Sequence, residues 1–369
     1  MMSSHELWDK YCQEKIQMVS PLYDRQGKPL KVASLYREPI SPSLKPTALE
    51  WEPANIALHS VLVDVFGAQG VFLVASYTSA AQISYCRMTD ADRDVDLFIK
   101  IVPKRLASGL KRSRSISDYV CDSGLLTPVC TSGFPKVCID GRVIHVYPFV
   151  NGCYLNNSIS DLQMLGGALA RLHKNLARYP DVHKVARSQR EMRSRMRRKA
   201  KALLVDKCWA SGELSPVRNH IQQWLEIDII LNRSECQVIH NDLNAGNVLK
   251  DTNGDIWFLD FEESRWSYLP SHFDIAKVIE RFILVNDDWD VQRKIIASKQ
   301  FMDAYVISHG NNYALRGSIP VALGWLLGFS WLRLSSLLFD RASIQHPEVR
   351  KFLHLAELLE RNESWLAAL

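Results

Sequence analysis

The sequence predicts an α+β protein in which a strand-rich first part precedes a mainly helical second part. Three observations predict it. Between residues 71 and 147 the chain carries short runs rich in β-branched and aromatic residues, several alternating apolar with polar positions as half-buried strands do. From residue 165 onward apolar residues recur at helical period, and Ser318 to Leu332 is an uncharged run of fifteen residues. Between the helical stretches lies one dense polar group, His240-Asn241-Asp242-Leu243-Asn244-Ala245-Gly246-Asn247, followed by Leu259-Asp260-Phe261-Glu262.

Residues 1–60 hold Pro21, Pro29, Pro39, Pro42, Pro46 and Pro53 and are expected to form an N-terminal extension, with room for one short helix, draped over the strand-rich part. Residues 61–145 supply that part. Val71-Phe72-Leu73-Val74-Ala75 and Ile83-Ser84-Tyr85-Cys86-Arg87-Met88 read as strands joined by a loop of small residues from Ser76 to Gln82. Asp96 to Val102 alternates as a third strand whose polar face ends at Lys100. A helix is expected at Ser115 to Asp122, leading to an exit before Pro128. Val143 to Gly152 reads as a strand running into a connector fixed by Pro148, with a boundary between the two parts at 146–152. Leu165, Ala168, Leu169 and Leu172 then mark the first large helix of the region 153–369.

The length of 369 residues, with 47% apolar and 23% charged residues, suits a globular protein able to bury a sizeable core. The first 25 residues lack a continuous apolar region, so no secretory signal is expected. Eight cysteines without CxxC pairs read as reduced thiols of a cytoplasmic protein. The uncharged run from Ser318 falls short of the roughly 18–20 residues a bilayer span needs, so it reads as a buried helix.

The polar group around Asp242 carries the chemistry. Phosphoryl transfer asks a protein to align an acceptor hydroxyl with a γ-phosphate and to neutralise the charge that develops on the oxygens. Asp242 is the candidate base for that hydroxyl. Asn247 and Asp260 offer oxygen ligands to Mg²⁺, a hard ion that takes few carboxylates and keeps waters and phosphate oxygens. The runs Cys236-Gln237-Val238-Ile239 and Ile256-Trp257-Phe258-Leu259 are short and β-rich, with a turn at Asp251 to Asp255, so both carboxylates sit at strand ends or in the loop joining them.

His-Asn-Asp-Leu, Gly-Asn, Asp-Phe-Glu and Phe273-Asp274-Ile275-Ala276 resemble the catalytic half of the aminoglycoside phosphotransferase and choline/ethanolamine kinase superfamily, lying closer to the choline kinases. The resemblance implies a bilobal protein-kinase-like fold, with a small antiparallel-sheet N-lobe and a mainly helical C-lobe, and ATP with Mg²⁺ as cofactors. It implies Asp242 as the catalytic Asp, Asn247 and Asp260 as metal ligands, and Asp274 as a brace of the catalytic loop, with His240 supporting it. Lys100 corresponds to the lysine that contacts the α/β-phosphates. The loop holding Ser79 resembles the phosphate-covering loop but has no Gly. Tyr147 and Phe149 fall in the interlobe hinge that holds the adenine. Asp118 is the expected salt-bridge partner of Lys100, the usual helix Glu being absent, with Asp122 as the alternative. Choline kinases carry a further acid on the helix after the bracing Asp, and Glu280 is the acid nearest that place.

Charge is concentrated between Lys184 and Lys201, where nine Lys/Arg stand against Glu191 alone, a local +8 in a chain of net +5. Arg187, Arg190, Arg193 and Arg197 follow helical spacing and predict a cationic stripe, suited to an anionic partner or simply to a solvated face. No aromatic residue interleaves the stripe, which disfavours single-stranded nucleic acid. Trp325, Trp331 and the acids Asp287, Asp288 and Asp290 around Trp289 could line a pocket for an amine through cation–π contact, although Trp in an apolar helix is more often core. Three readings follow. The first is a small-molecule kinase acting on the hydroxyl of an amino alcohol, aminoglycoside or sugar. The others are a protein kinase or catalytically weak kinase-fold regulator, and a binder of anionic polymers. His-Asn-Asp, Asp-Phe-Glu and the lack of an Ala-Pro-Glu ending favour the first.

Overall fold

The computed structural model describes residues 52–53, 70–78, 82–90, 93–128, 137–139, 142–148, 150, 152–155, 158–205, 215–231, 235–310, 318–339 and 347–369. Residues 1–51, Ser79 and Phe149 lie outside them.

The first lobe is an antiparallel sheet of β1 (Glu52–Pro53), β2 (Gly70–Thr78), β3 (Gln82–Asp90), β4 (Arg93–Pro103), β5 (Val137–Ile139) and β6 (Arg142–Pro148), in the order β1-β2-β3-β4-β6-β5. β4 runs through the middle of the sheet. Its Lys100 stands opposite Ile83 on one side and His145 on the other, so pairing from both neighbours fixes the backbone at that position. The strands outrun their apolar patterns because ladder hydrogen bonds, not side chains alone, carry them to their ends.

Helix α1 (Lys104–Asp122) leaves β4 directly. It begins well before Ser115, in a basic stretch from Lys104 whose apolar residues are only Leu106, Ala107 and Leu110. Among its residues whose burial is described, Ile116 and Val120, one turn apart, are the fully buried ones. It stops at Gly124, whose φ of 80° is the left-handed conformation that closes a helix, with Leu125 N–H donating back to the Val120 carbonyl at 3.3 Å.

The second lobe is built from α2 (Ile159–Leu176), α3 (Val182–Val205), α4 (Ser215–Leu231), α5 (His272–Val278), α6 (Val291–His309), α7 (Ser318–Phe339) and α8 (Pro347–Leu366). Two small sheets accompany them: β10 (Ile256–Phe258), β9 (Val248–Asp251) and β7 (Gly152–Tyr154), then β11 (Tyr268–Leu269) with β8 (Gln237–Val238). Ser158 caps α2 by accepting the Asp161 N–H at 3.1 Å, and Leu162, Leu165, Leu169, Leu172 and Leu176 form its fully buried stripe. α6 crosses α2 at Gly166, where a Cβ would stand 2.5 Å from the Phe301 carbonyl, so only glycine permits this approach.

α7 is a core helix. Trp325 packs edge-on against Phe273 at 5.1 Å and stacks on Phe329 at 4.9 Å, while Trp331 donates its indole N–H to Glu360 at 2.9 Å. These rings are therefore packing residues and not an amine cage. Asp290 is a helix cap for α6, accepting the Arg293 N–H at 2.7 Å, and Arg293 covers the Trp289 ring at 4.6 Å. Among the described residues no helix is long and apolar enough to cross a membrane.

The basic insert forms α3, but its stripe does not face one way. Arg187 and Arg190 are exposed, whereas Arg193 is buried and donates from Nε to Asp228 Oδ1 at 2.8 Å. Arg197 donates to Asp228 Oδ2 and, at 3.1 Å, to the Asp228 carbonyl. Asp228 is fully buried on α4, so two of the four stripe residues are spent clamping α3 to α4. Removing one partner of such a buried ion group leaves uncompensated charge and costs about 3–5 kcal/mol. Asp228→Ala is accordingly expected to lower unfolding stability by that order in urea titration. Arg190→Gln should change it by no more than about 0.5 kcal/mol.

Candidate active site

The site is organised by one buried carboxylate. Asp274, near the start of α5, accepts the backbone N–H of His240 at 2.8 Å and of Asn241 at 2.7 Å, and meets His173 Nε2 of α2 at 3.0 Å. Burial alone would raise its pKa, but the hydrogen bond and charge of His173, with His240 and the Asn241 amide, hold it below the usual carboxylate value. On the far side of His173, Nδ1 meets the Tyr305 hydroxyl of α6 at 2.8 Å.

This clamp holds the loop in a conformation it would not adopt alone. Asn241 has φ of 62°, a left-handed value that Asn tolerates better than other side chains, and its amide donates to Ser267 Oγ at 2.8 Å. His240 Nε2 lies 2.8 Å from the Leu259 carbonyl, and Asp242 N–H donates to His240 Nδ1 at 3.3 Å. Those partners assign the ring as the neutral Nε2–H tautomer. His240 thus links the Asp242 loop to the strand end that precedes Asp260.

Asp242 and Asn247 are in contact. The Asn247 amide donates to the Asp242 carboxylate at 3.0 Å and to its carbonyl at 2.8 Å. Asn244 shapes the 3₁₀ turn between them by accepting the Gly246 N–H at 2.9 Å. Leu259 N–H donates to the Asn247 carbonyl at 2.9 Å, so Asp260 follows directly beside Asn247. Asp260 also takes a left-handed φ of 58°. Two left-handed non-glycine residues cost of order 1–3 kcal/mol each, and both fall in this one site.

Lys100 reaches across from β4. Its ammonium lies 3.0 Å from Asp260 Oδ2 and contacts Glu262 Oε1. Burial would lower its pKa, but Asp260 and Glu262 together raise it, so the lysine is charged. The expected partner Asp118 is elsewhere: it faces Arg114 on its own helix, at 3.7 Å. Glu262, which the sequence reading did not single out, takes the place assigned to Asp118, because the Asp260-Phe261-Glu262 turn delivers a longer acid to the lysine. Tyr147 is half-buried on β6 opposite Phe98, at the end of the sheet where the chain crosses to the second lobe.

Two more charged groups that the motif did not announce feel the charge of Asp242. Glu263 accepts the Trp266 indole N–H at 2.8 Å, and burial, followed by the charge of Asp242, pushes its carboxyl pKa up. Lys277, one turn beyond Asp274, feels the charges of Asp242, Asp274, Glu280 and Arg281. Glu280, the acid nearest the choline-kinase position, is buried and accepts Arg281 Nε at 2.7 Å on Oε2, while its Oε1 has no hydrogen-bond partner among the described residues. Their only sequence signal was proximity to the Asp-Phe-Glu and Phe-Asp-Ile-Ala motifs. No group of three or more His, Cys, Asp or Glu among the described residues is arranged to hold a metal. Asn247 and Asp260 supply one amide and one carboxylate side chain, a donor set that fits Mg²⁺ completed by phosphate and water.

Residues 82–309 match the model of the phosphotransferase enzyme family, APH. No curated protein sequence matches the chain. Among solved structures, aminoglycoside 2'-phosphotransferase-IIIa in its GDP complex aligns with a TM-score of 0.56 at 14% identity, over 84% of this chain and 99% of that one. Spectinomycin phosphotransferase APH(9)-Ia with ADP and spectinomycin aligns with a TM-score of 0.53 at 15% identity, over 83% and 98%. The amicoumacin kinase hAmiN with AMP-PNP and Ca²⁺ gives 0.51 at 15%, over 79% and 88%. The shared architecture is the protein-kinase-like one, a small antiparallel sheet above a mainly helical lobe. With the family match spanning more than half of its length, the chain belongs to the phosphotransferase enzyme family.

Proposed function

We propose that the protein is an ATP- and Mg²⁺-dependent kinase that phosphorylates a hydroxyl group of a small molecule. The observation that carries this reading is the contact of Asp242 with Asn247 in a loop clamped by Asp274, with Asp260 and Lys100 alongside. Structures with ADP or AMP-PNP among the neighbours support a nucleotide donor, and the spectinomycin and amicoumacin enzymes support a small-molecule acceptor.

In this reading Asp242 accepts the hydroxyl proton as the acceptor oxygen attacks the γ-phosphorus, the bond to the β–γ bridging oxygen breaks, and ADP leaves. The Asn247 amide holds the Asp242 carboxylate in place, so alignment is set before the acceptor arrives. Asn247 and Asp260 would hold Mg²⁺, which supplies charge neutralisation on the phosphate oxygens. Lys100, kept charged by Asp260 and Glu262, would contact the α/β-phosphates. The backbone at Tyr147 is the hinge segment that would meet the adenine. A catalytically weak regulator would follow from a Lys100 without an acidic partner, and Glu262 supplies that partner. The active reading is therefore preferred.

Asp242→Asn should retain ATP binding and lower turnover by about 10²–10⁴-fold, because the proton acceptor is lost while the fold is not. Steady-state kinetics with calorimetric ATP titration checks it, and turnover within a few-fold of wild type rejects the assignment. For Asp260→Ala, nucleotide binding should lose its dependence on Mg²⁺. Titrating ATP with Mg²⁺ and with EDTA reads this directly. An unchanged Mg²⁺ requirement would move the metal site elsewhere.

A further inference from the structure

The fold divides the basic insert in two. Arg193 and Arg197 turn inward to Asp228, whereas Arg187, Arg190, Arg195, Arg198 and Lys201 are exposed along the outer side of α3. Among the described residues no acidic side chain pairs with any of these five, and Arg198 meets the Ser194 hydroxyl at 2.9 Å. Glu191 is the one acid between Lys184 and Lys201. Surfaces ordinarily intersperse both signs of charge, so a face of five unmatched cations beside one acid stands apart. Since the segment carries +8 in a chain of net +5, the remainder is net negative, and the resulting field turns this face toward anions.

Apolar surface lies at the end of the same face. From Arg187 to Val205 the helix makes about five turns, so Val205 stands in line with Arg187, and it is 80% exposed. Next to it, Leu204 and, from α4, Leu225 give apolar walls to a cleft of about 420 Å³ whose polar lining is Arg197, Lys201, Gln222 and Glu226. No Phe, Trp or Tyr stands on α3, so a nucleic-acid strand would find no stacking platform there, and its backbone offers nothing to Val205 or the cleft. A bilayer surface matches both parts. It presents anionic headgroups to the cations and, just beneath them, apolar chains to Val205, Leu204 and Leu225.

We propose that the protein docks on an anionic membrane surface through the outer face of α3. Arg187, Arg190 and Arg198 lie along the headgroup layer, and the Val205 end of the helix dips into its apolar boundary. The contact is peripheral, because the opposite side of α3 is buried in the core through Val185, Ala200 and Leu203 and is not available to insert. The proposal is independent of the kinase reading, since it concerns where the chain works and not what it phosphorylates.

Co-sedimentation of the full chain with vesicles of phosphatidylcholine alone, and of phosphatidylcholine with about 30% phosphatidylserine, tests it. The chain should partition to the phosphatidylserine vesicles at about 0.1 M salt, leave them at about 0.5 M, and stay off phosphatidylcholine at either. Each cation near the surface is worth about fivefold, so replacing Arg187, Arg190 and Arg198 together by Gln should lower partitioning by roughly 100-fold. These side chains are exposed, so the triple variant should keep its circular dichroism and melting temperature. Val205→Ser should lower partitioning by about threefold or more, which a purely electrostatic contact would not show. Equal binding to both vesicles, binding to neither, or partitioning left unchanged by the triple variant or by Val205→Ser would each overturn the proposal. So would a short RNA duplex held more tightly than phosphatidylserine vesicles at equal phosphate concentration, an outcome that assigns the face to nucleic acid.

Discussion

The buried carboxylate of Asp274 is the constraint on which the rest of the site depends. Its oxygens take the amides of His240 and Asn241 together with His173, so one side chain couples α5 to the loop that presents Asp242. Such a group is stable inside a protein only when its lone pairs are filled, and here they are. The coupling extends outward through His173 to Tyr305. It needs α2 and α6 in close contact, which the missing Cβ of Gly166 allows, with the Tyr305 amide nitrogen itself only 3.2 Å from where that Cβ would stand. Sequence, helix packing and loop geometry are thus one chain of cause.

A second consequence is that strain is localised. Asn241 and Asp260 are the described non-glycine residues with positive φ, and they flank the two halves of the site. The Asp274 clamp pins the first, and the Lys100 contacts together with the Glu262 amide, donating to Asp260 Oδ1 at 3.3 Å, hold the second. Charge follows the same economy of position. Lys100 is matched by two acids, Asp260 and Glu262, which the turn after β10 delivers together.

Much of this was legible in the sequence because it is local. Asp242 and Asn247 lie five residues apart in one turn, and Asp260 follows a short strand, so spacing alone brings them together. The core character of Trp325 was legible from the uncharged run around it. What was not legible depends on partners far along the chain. Arg193 and Arg197 read as surface charge until Asp228, on another helix, turns them inward. Asp118 read as the partner of Lys100 because helix position is easily counted, but the lysine's distance to Glu262 is set by the turn after β10 and by the approach of the two lobes.

The most direct test of the central claim is a ³¹P NMR time course of the full chain with ATP, Mg²⁺ and a pool of small hydroxyl compounds. The account predicts a new phosphomonoester resonance that grows in step with ADP. Formation of ADP matched only by inorganic phosphate, or an unchanged ATP spectrum, would contradict it.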